Sequence, residues 1–338
     1  MDKVKFDESE LYKIYELWPD HFTTALSVSS KTDRETSYYS SVIICGMGGS
    51  GTVCDVLNDL LETYGTIPSM SLGGKIIPSY INKHTLVIIN SVSGNTSEAI
   101  LSMKQAIRKK AEVICVSSGG KLKESCIKYG SKHITIPKVS HSRASFPYLL
   151  IPGLKIINNF LTRSLSDDML LLSKNLLNVY GQVSSNLPYK SNIAKQLAAF
   201  MNNSLVFCLT SPSLVSTGTR FKNSLNENSK VHCISDSILE ASHNEVVPFT
   251  YDIKAIYRKT LLLSWKYDIE MTKERFRRVR SLLRDLDHPV FEIQSPHKSL
   301  INSIVCSIYL LDISTIYLAA LRKIDPSPTP AIDILKEI

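Results

Sequence analysis

The chain predicts a doubly wound α/β protein built from two parallel-sheet domains. Three observations lead there. Hydrophobic strand-like runs alternate with amphipathic helix-like stretches through the first half. Two of those runs end in Ser-rich glycine turns, at residues 46–51 and 91–96, and each turn opens a helix. The second half repeats the alternation more loosely. Strand, turn and helix in repetition build a parallel sheet covered by helices on both faces, with the ligand at the carboxyl ends of the strands.

The elements follow in order. A strand over 42–45 leads to a helix over about 50–64, whose Val53, Val56, Leu57, Leu60 and Leu61 keep helical spacing until Gly65 stops it. A strand over 85–90 leads to a helix with Ala99, Ile100, Met103, Ala106 and Ile107 on one face. Strands over 113–116 and 134–136 flank a helical 121–129, and a further helical stretch runs from Pro147 to about 162. In the second half, 190–203 reads as helix, 204–209 as strand, 219–230 as helix and 231–234 as a short strand. A strand over 261–265, a helix over 270–286, a strand over 290–293 and a long helix near 299–322 complete it. With 338 residues there is room for two domains. The polar stretch 184–188 lies in the boundary region, and the expected domains are 1–165 and 166–338.

Composition narrows the class. The chain is 43% hydrophobic and 21% charged, as a globular protein is, and its formal net charge is +8. The basic excess is spread out, which suits an acidic small substrate better than nucleic acid. Its densest run, 273–280, reads as a solvated helix face backed by Phe276, Val279 and Leu283. Residues 299–321 are long enough to span a bilayer, but Asp312 falls near their middle, so a buried interface helix is expected and no membrane contact. Seven scattered cysteines without a CxxC pair fit packed thiols in a reducing cytoplasm, and the opening residues show no apolar leader.

The two turns carry the first chemistry. Glycines let backbone N–H groups approach an anion, the helix N-terminus adds its positive dipole end, and hydroxyls complete a cradle. Ser50, Ser91, Ser93 and Thr96 supply the hydroxyls, with the N–H groups of Gly49 and Gly94 beside them. The same residue types also favour ordinary turns and helix caps. Two turns in matched context favour phosphate binding. No lysine follows as in an ATP-binding P-loop. Gly46, Gly48 and Gly51 match the dinucleotide G-x-G-x-x-G pattern, but no clear acidic partner follows, so a phosphosugar is the expected ligand and no cofactor is expected. The histidines are dispersed, without the spacing of a zinc site.

The turns Gly46-Met-Gly-Gly-Ser-Gly51 and Ser91-Val-Ser-Gly-Asn-Thr96 resemble those of the sugar isomerase (SIS) domain. Asn226-Glu227-Asn228-Ser229-Lys230, Ser242-His243-Asn244-Glu245 and the tail from Asp325 to Lys336 resemble the bifunctional phosphoglucose/phosphomannose isomerases, over nearly the whole chain. The resemblance implies two SIS domains in a cytoplasmic homodimer with a shared active site. The implied reaction is a metal-free interconversion of glucose 6-phosphate and mannose 6-phosphate with fructose 6-phosphate, through a cis-enediol. It implies Glu227 as the base that moves the proton between C1 and C2, and His243, supplied by the other subunit, as ring-opening acid/base. Lys336 assists ring opening, and Thr329 accommodates rotation about C2–C3. Read from composition alone, Glu227 would be a solvated glutamate and Lys336 a frayed terminal lysine. Arg143, just after a strand, is placed to stabilise enediolate oxygens. A phosphosugar-sensing module without chemistry, or an isomerase of another sugar phosphate, remains as the alternative.

Overall fold

The computed structural model describes residues 7–74, 76–251 and 257–336; most of the opening segment read above for a leader lies outside them. In chain order the elements are α1 (Leu11–Glu16), α2 (Trp18–Ala25), β1 (Ser41–Cys45), α3 (Gly49–Tyr64), β2 (Ser69–Leu72), β3 (Thr85–Asn90), α4 (Ser97–Arg108), β4 (Glu112–Ser117), α5 (Gly120–Tyr129), β5 (Lys132–Thr135), α6 (Phe146–Ile157) and α7 (Ser166–Val183). They continue with α8 (Ile193–Met201), β6 (Leu205–Thr210), α9 (Val215–Ser224), β7 (Cys233–Ser237), α10 (Ile238–Ala241), β8 (Arg258–Trp265), α11 (Glu270–Asp285), β9 (Val290–Ser295), α12 (Leu300–Leu321) and α13 (Pro330–Lys336).

Two compact units result. One comprises Leu17–Ser173, the other Met1–Glu16 with Lys174–Ile338. The division thus falls inside α7, and the opening residues group with the second sheet, whereas the sequence placed a single boundary at 165/166. The cause lies in α1. Tyr15 donates its hydroxyl proton to Asp312 of α12 at 2.9 Å, and the Tyr12 and Tyr317 hydroxyls are 3.1 Å apart.

The first unit holds a five-stranded parallel sheet in the order β2-β1-β3-β4-β5. Six successive buried residues make β3, as expected of a strand covered on both faces. Ile43, Cys45, Val87, Ile89, Val113 and Cys115 face α4 and α5 through Met103, Ala106, Leu122 and Cys126. Their alternates Val42, Ile44, Leu86 and Ile88 are equally buried and point the other way. The second unit holds a four-stranded parallel sheet, β7-β6-β8-β9. Phe207, Leu209 and Leu262 pack there on Ile238, Phe276, Val279 and Leu283. Both sheets belong to the expected doubly wound class. In each, the direction of winding reverses between two adjacent strands: β1 and β3 in the first, β6 and β8 in the second.

The long apolar helix is α12. Among the described residues it alone is long and apolar enough to cross a membrane, and 89% of its most apolar window is buried within the protein. Its Asp312 is balanced rather than bare. Arg220 Nη2 lies 2.7 Å from Oδ2, and Ser224 donates to Oδ1 at 2.7 Å. All seven cysteines are buried and free.

The fold carries a dependence on acid. His288 donates to or accepts from Thr260 Oγ1 at 2.9 Å and packs edge-on against Phe249. Burial, with the Arg258 charge nearby, pushes its pKa down to about 4. Burial also lowers His133 and His297. A histidine depressed in the native state binds its proton first in the unfolded chain. Its contribution is therefore complete above about pH 6.5 and lost as pH falls toward 4. Between pH 7 and 5, urea-unfolding free energy is expected to drop by about 1–2 kcal/mol more in the parent than in His288→Asn. Equal slopes for the two would refute this.

Candidate functional site

The reversal between β1 and β3 brings the two glycine turns side by side at one end of the first sheet. Ser50, 7% exposed, stands in the first turn of α3, and its Oγ accepts a hydrogen bond from the Val92 N–H at 3.3 Å. Ser91 Oγ lies 3.0 Å from Thr96 Oγ1 and accepts from the Gly94 N–H at 3.2 Å. Ser93 is exposed, and its Oγ accepts from the Asn95 N–H at 3.2 Å. Gly49, Ser50, Ser91 and Thr96 therefore meet in one cradle, with Ser93 on its exposed rim. The N-terminal turns of α3 and α4 and these hydroxyls are the candidate place for an anion, although the Ser50 and Gly94 N–H groups donate to the Met47 and Ser91 carbonyls, both at 3.1 Å.

Glycine is required here for a specific reason. Gly94 has φ +67°, and a β-carbon on it would lie 1.9 Å from the Gly119 carbonyl oxygen. Gly119 belongs to a third turn, at 117–120 after β4, which sequence reading missed. That turn braces the second one: Ser118 donates through N and Oγ to the Val92 carbonyl at 3.0 and 2.8 Å, and Leu122 N donates to the Gly94 carbonyl at 2.8 Å. The signal was present, since Ser-Ser-Gly-Gly follows a buried strand and opens a helix as in the other two turns.

Arg143 joins this group. It lies on a single 3₁₀ turn, Ser142–Ser145, whose backbone passes the start of α3; a β-carbon on Gly49 would be 3.7 Å from Arg143 Cα. Trp18 fixes the turn by donating its indole N–H to the Ala144 carbonyl at 3.0 Å while stacking on Phe146 at 5.6 Å. A groove of about 920 Å³ elsewhere in this unit contains none of the turn residues. Two of its cations are engaged: Lys155 Nζ donates to the Leu26 and Val28 carbonyls, and Arg34 lies 4.3 Å from the Tyr38 ring centroid.

The corresponding reversal in the second sheet is closed by the chain itself. Ser211, after β6, donates to Asp268, whose other oxygen accepts from the Trp265 N–H at 3.0 Å. Burial pushes the Asp268 carboxyl up. A carboxylate of the protein thus lies at this reversal, where the first unit has hydroxyls and backbone N–H groups.

Glu227, His243 and Thr329 lie in the second unit, as does the backbone of Lys336. After α9 the helix widens into a π-turn, Leu225–Ser229, with Glu227 at its middle and half-buried. The widening has an anchor. Asn228 and Ser229, both fully buried, donate to Thr315 of α12, to Oγ1 at 2.8 Å and to the carbonyl at 2.6 Å. Insertions of this kind in helices are rare and often mark functional positions. His243 is exposed just beyond α10, with its N–H donating to the Glu240 carbonyl at 2.9 Å. Thr329 immediately precedes α13, and its carbonyl accepts from Ile332 N at 2.9 Å. Lys336 ends α13, and its side chain lies outside the described residues. No cluster of three or more His, Cys, Asp or Glu suited to a metal ion occurs among the described residues.

The chain is similar to known proteins in sequence and in fold. Residues 190–338 match the family described as the bacterial phospho-glucose isomerase C-terminal SIS domain. The bifunctional phosphoglucose/phosphomannose isomerase of Caldicellulosiruptor bescii is 30% identical over 332 residues, covering 97% of this chain and 95% of the relative. The D-glucosamine-6-phosphate 4-epimerase of Sulfolobus acidocaldarius is 27% identical over 244 residues, 69% of this chain and 71% of the relative. In fold, the chain is similar to the crystal structure of a hypothetical protein from Thermus thermophilus. The TM-score is 0.76 at 15% identity, over 98% of this chain and 90% of that one. Two parallel-sheet SIS units, the turns and a near full-length relationship agree: the chain belongs to the bifunctional phosphoglucose/phosphomannose isomerase family.

Proposed function

We propose that this protein interconverts glucose 6-phosphate and mannose 6-phosphate with fructose 6-phosphate, without a metal, as a cytoplasmic homodimer. The observation that carries this reading is the meeting of two hydroxyl-bearing turns at the reversal point of the first sheet, with the Val92 N–H 3.3 Å from Ser50 Oγ. A dianionic phosphate fits that cradle, held by Gly49, Ser50, Ser91, Ser93 and Thr96. Binding at the phosphate end supplies orientation at the reacting carbons.

Ring opening requires a proton to leave the C1 hydroxyl and one to reach the ring oxygen, the work assigned to His243 with Lys336. Glu227 then removes the C2 proton of the aldose. The enediolate oxygens carry the charge, which Arg143 balances; a hydroxyl proton passes from O2 to O1, and the proton held by Glu227 returns to C1 to give the ketose. Thr329 accommodates rotation about C2–C3, so that either face of C2 meets the same base. His243 is exposed on its own subunit. A partner subunit that donates it to the other active site accounts for that exposure.

The test is a pair of coupled assays, on glucose 6-phosphate and on mannose 6-phosphate, run before and after dialysis against EDTA. Turnover of both sugars is expected, unchanged by chelation. Activity lost to EDTA and restored by zinc would overturn the metal-free mechanism. The relationship to a glucosamine-phosphate epimerase supports a second reading, inversion at C4 of an amino sugar phosphate. Product analysis separates the two, because epimerisation yields an aldose and no ketose.

A further inference from the structure

Lys230 stands where the chain leaves the π-turn of Glu227, with φ 55° and ψ 42°. That left-handed conformation costs a residue with a β-carbon about 1–2 kcal/mol, and glycine usually takes it at a helix end. A lysine takes it here, and its side chain turns back on the turn. Nζ donates to the Glu227 carbonyl at 2.5 Å and to the Pro326 carbonyl at 3.2 Å. Pro326 is buried and belongs to the segment that leads through Thr329 into α13. An ammonium group has three donors on a flexible stem, so one lysine can serve two carbonyls from different segments. A cation is also favoured at the carbonyl end of a helix.

We propose that Lys230 is a positioning residue, a clamp that holds the backbone of Glu227 and the start of the tail in one frame. The proposal rests on the reading of Glu227 as the base. Asn228 and Ser229 fasten the buried side of the turn to α12, at Thr315. Lys230 fastens its exposed side to the tail. The backbone carbonyl of the residue proposed as the base and that of Pro326, in the segment leading to Thr329, therefore share one ammonium group, and each holds the other in register. Displacement of a reacting group by about 1 Å can cost a hundredfold in rate, which is the scale on which such a clamp acts.

Lys230→Gly tests this without threatening the fold, because glycine adopts the left-handed conformation freely. Its melting temperature is expected to equal or exceed that of the parent. Its kcat on fructose 6-phosphate is expected to fall about 10- to 100-fold with KM within about threefold, while amide hydrogen exchange over residues 325–329 accelerates. Lys230→Arg, which keeps a cationic donor able to reach both carbonyls, is expected to recover most of the loss. A Lys230→Gly variant with kcat within about twofold of the parent, or with unchanged exchange over 325–329, would overturn the clamp. Glu227→Gln is measured beside it. If that variant is inactive while Lys230→Gly is normal, the clamp alone fails. If Glu227→Gln turns over normally, the assignment of the base fails.

Discussion

Glu227→Gln is expected to lower turnover by about 10²- to 10⁴-fold while fructose 6-phosphate still binds. Glutamine keeps the size and the hydrogen-bonding reach of glutamate and loses only the basic oxygen. The backbone under it is held independently of the side chain, by Asn228 and Ser229 on Thr315. The residues proposed to bind the phosphate lie in the other unit of the chain, so KM is expected to change little. Exchange of the C2 hydrogen of glucose 6-phosphate with solvent deuterium is the most direct measurement, because it reads the proton transfer itself. Exchange and turnover within about tenfold of the parent would exclude Glu227 as the base.

Gly94→Ala is expected to be among the most damaging single-methyl changes in the first unit. The added carbon would lie 1.9 Å from the Gly119 oxygen, on a residue already at φ +67°. Backbone strain of about 1–2 kcal/mol adds to overpacking of about 1–3 kcal/mol, and the obstacle is main chain, which cannot swing aside as a side chain does. We expect a loss of roughly 2–5 kcal/mol of unfolding free energy. The third turn is pushed away from the second, and the affinity for inorganic phosphate falls with it. Gly130→Ala is the control. Gly130 ends α5 at φ 66° and ψ 28°, and a β-carbon there meets nothing within 4 Å. It carries the backbone cost alone, about 1 kcal/mol, with phosphate binding intact. Equal effects for the two alanines would show that the contact with Gly119 does not matter.

Much of the fold was legible because buried parallel strands are continuous apolar runs. Residues 42–45, 85–90 and 113–116 all became strands of the first sheet. β2 escaped notice because an edge strand of Ser-Met-Ser-Leu, half-exposed along its length, has no such run. α7 escaped because it crosses between two units, and its exposed Leu170, Leu171 and Leu177 blur the helical stripe. The grouping of α1 with the second sheet depends on Tyr12 and Tyr15 reaching residues some 300 positions away, a relation that no local pattern carries.

For the site, the sequence by itself located the two hydroxyl-bearing turns proposed to hold the phosphate. Ser50, Ser91, Ser93 and Thr96 lie within a few residues of strands and helices whose order dictates where the turns must sit, so local chemistry was enough. The tertiary structure alone decided how the two reversal points differ. The first reversal point is lined by hydroxyls and N–H groups; the second is filled by Asp268 on Ser211 and Trp265. It also decided how Glu227 is presented. A glutamate in a polar run looks solvated until Asn228, Ser229 and Lys230 are seen to bind partners roughly 90 residues ahead in the chain. Strand and turn formation follow from neighbours in sequence, whereas the pairing of polar groups follows from which distant segments the packed core brings within hydrogen-bond reach.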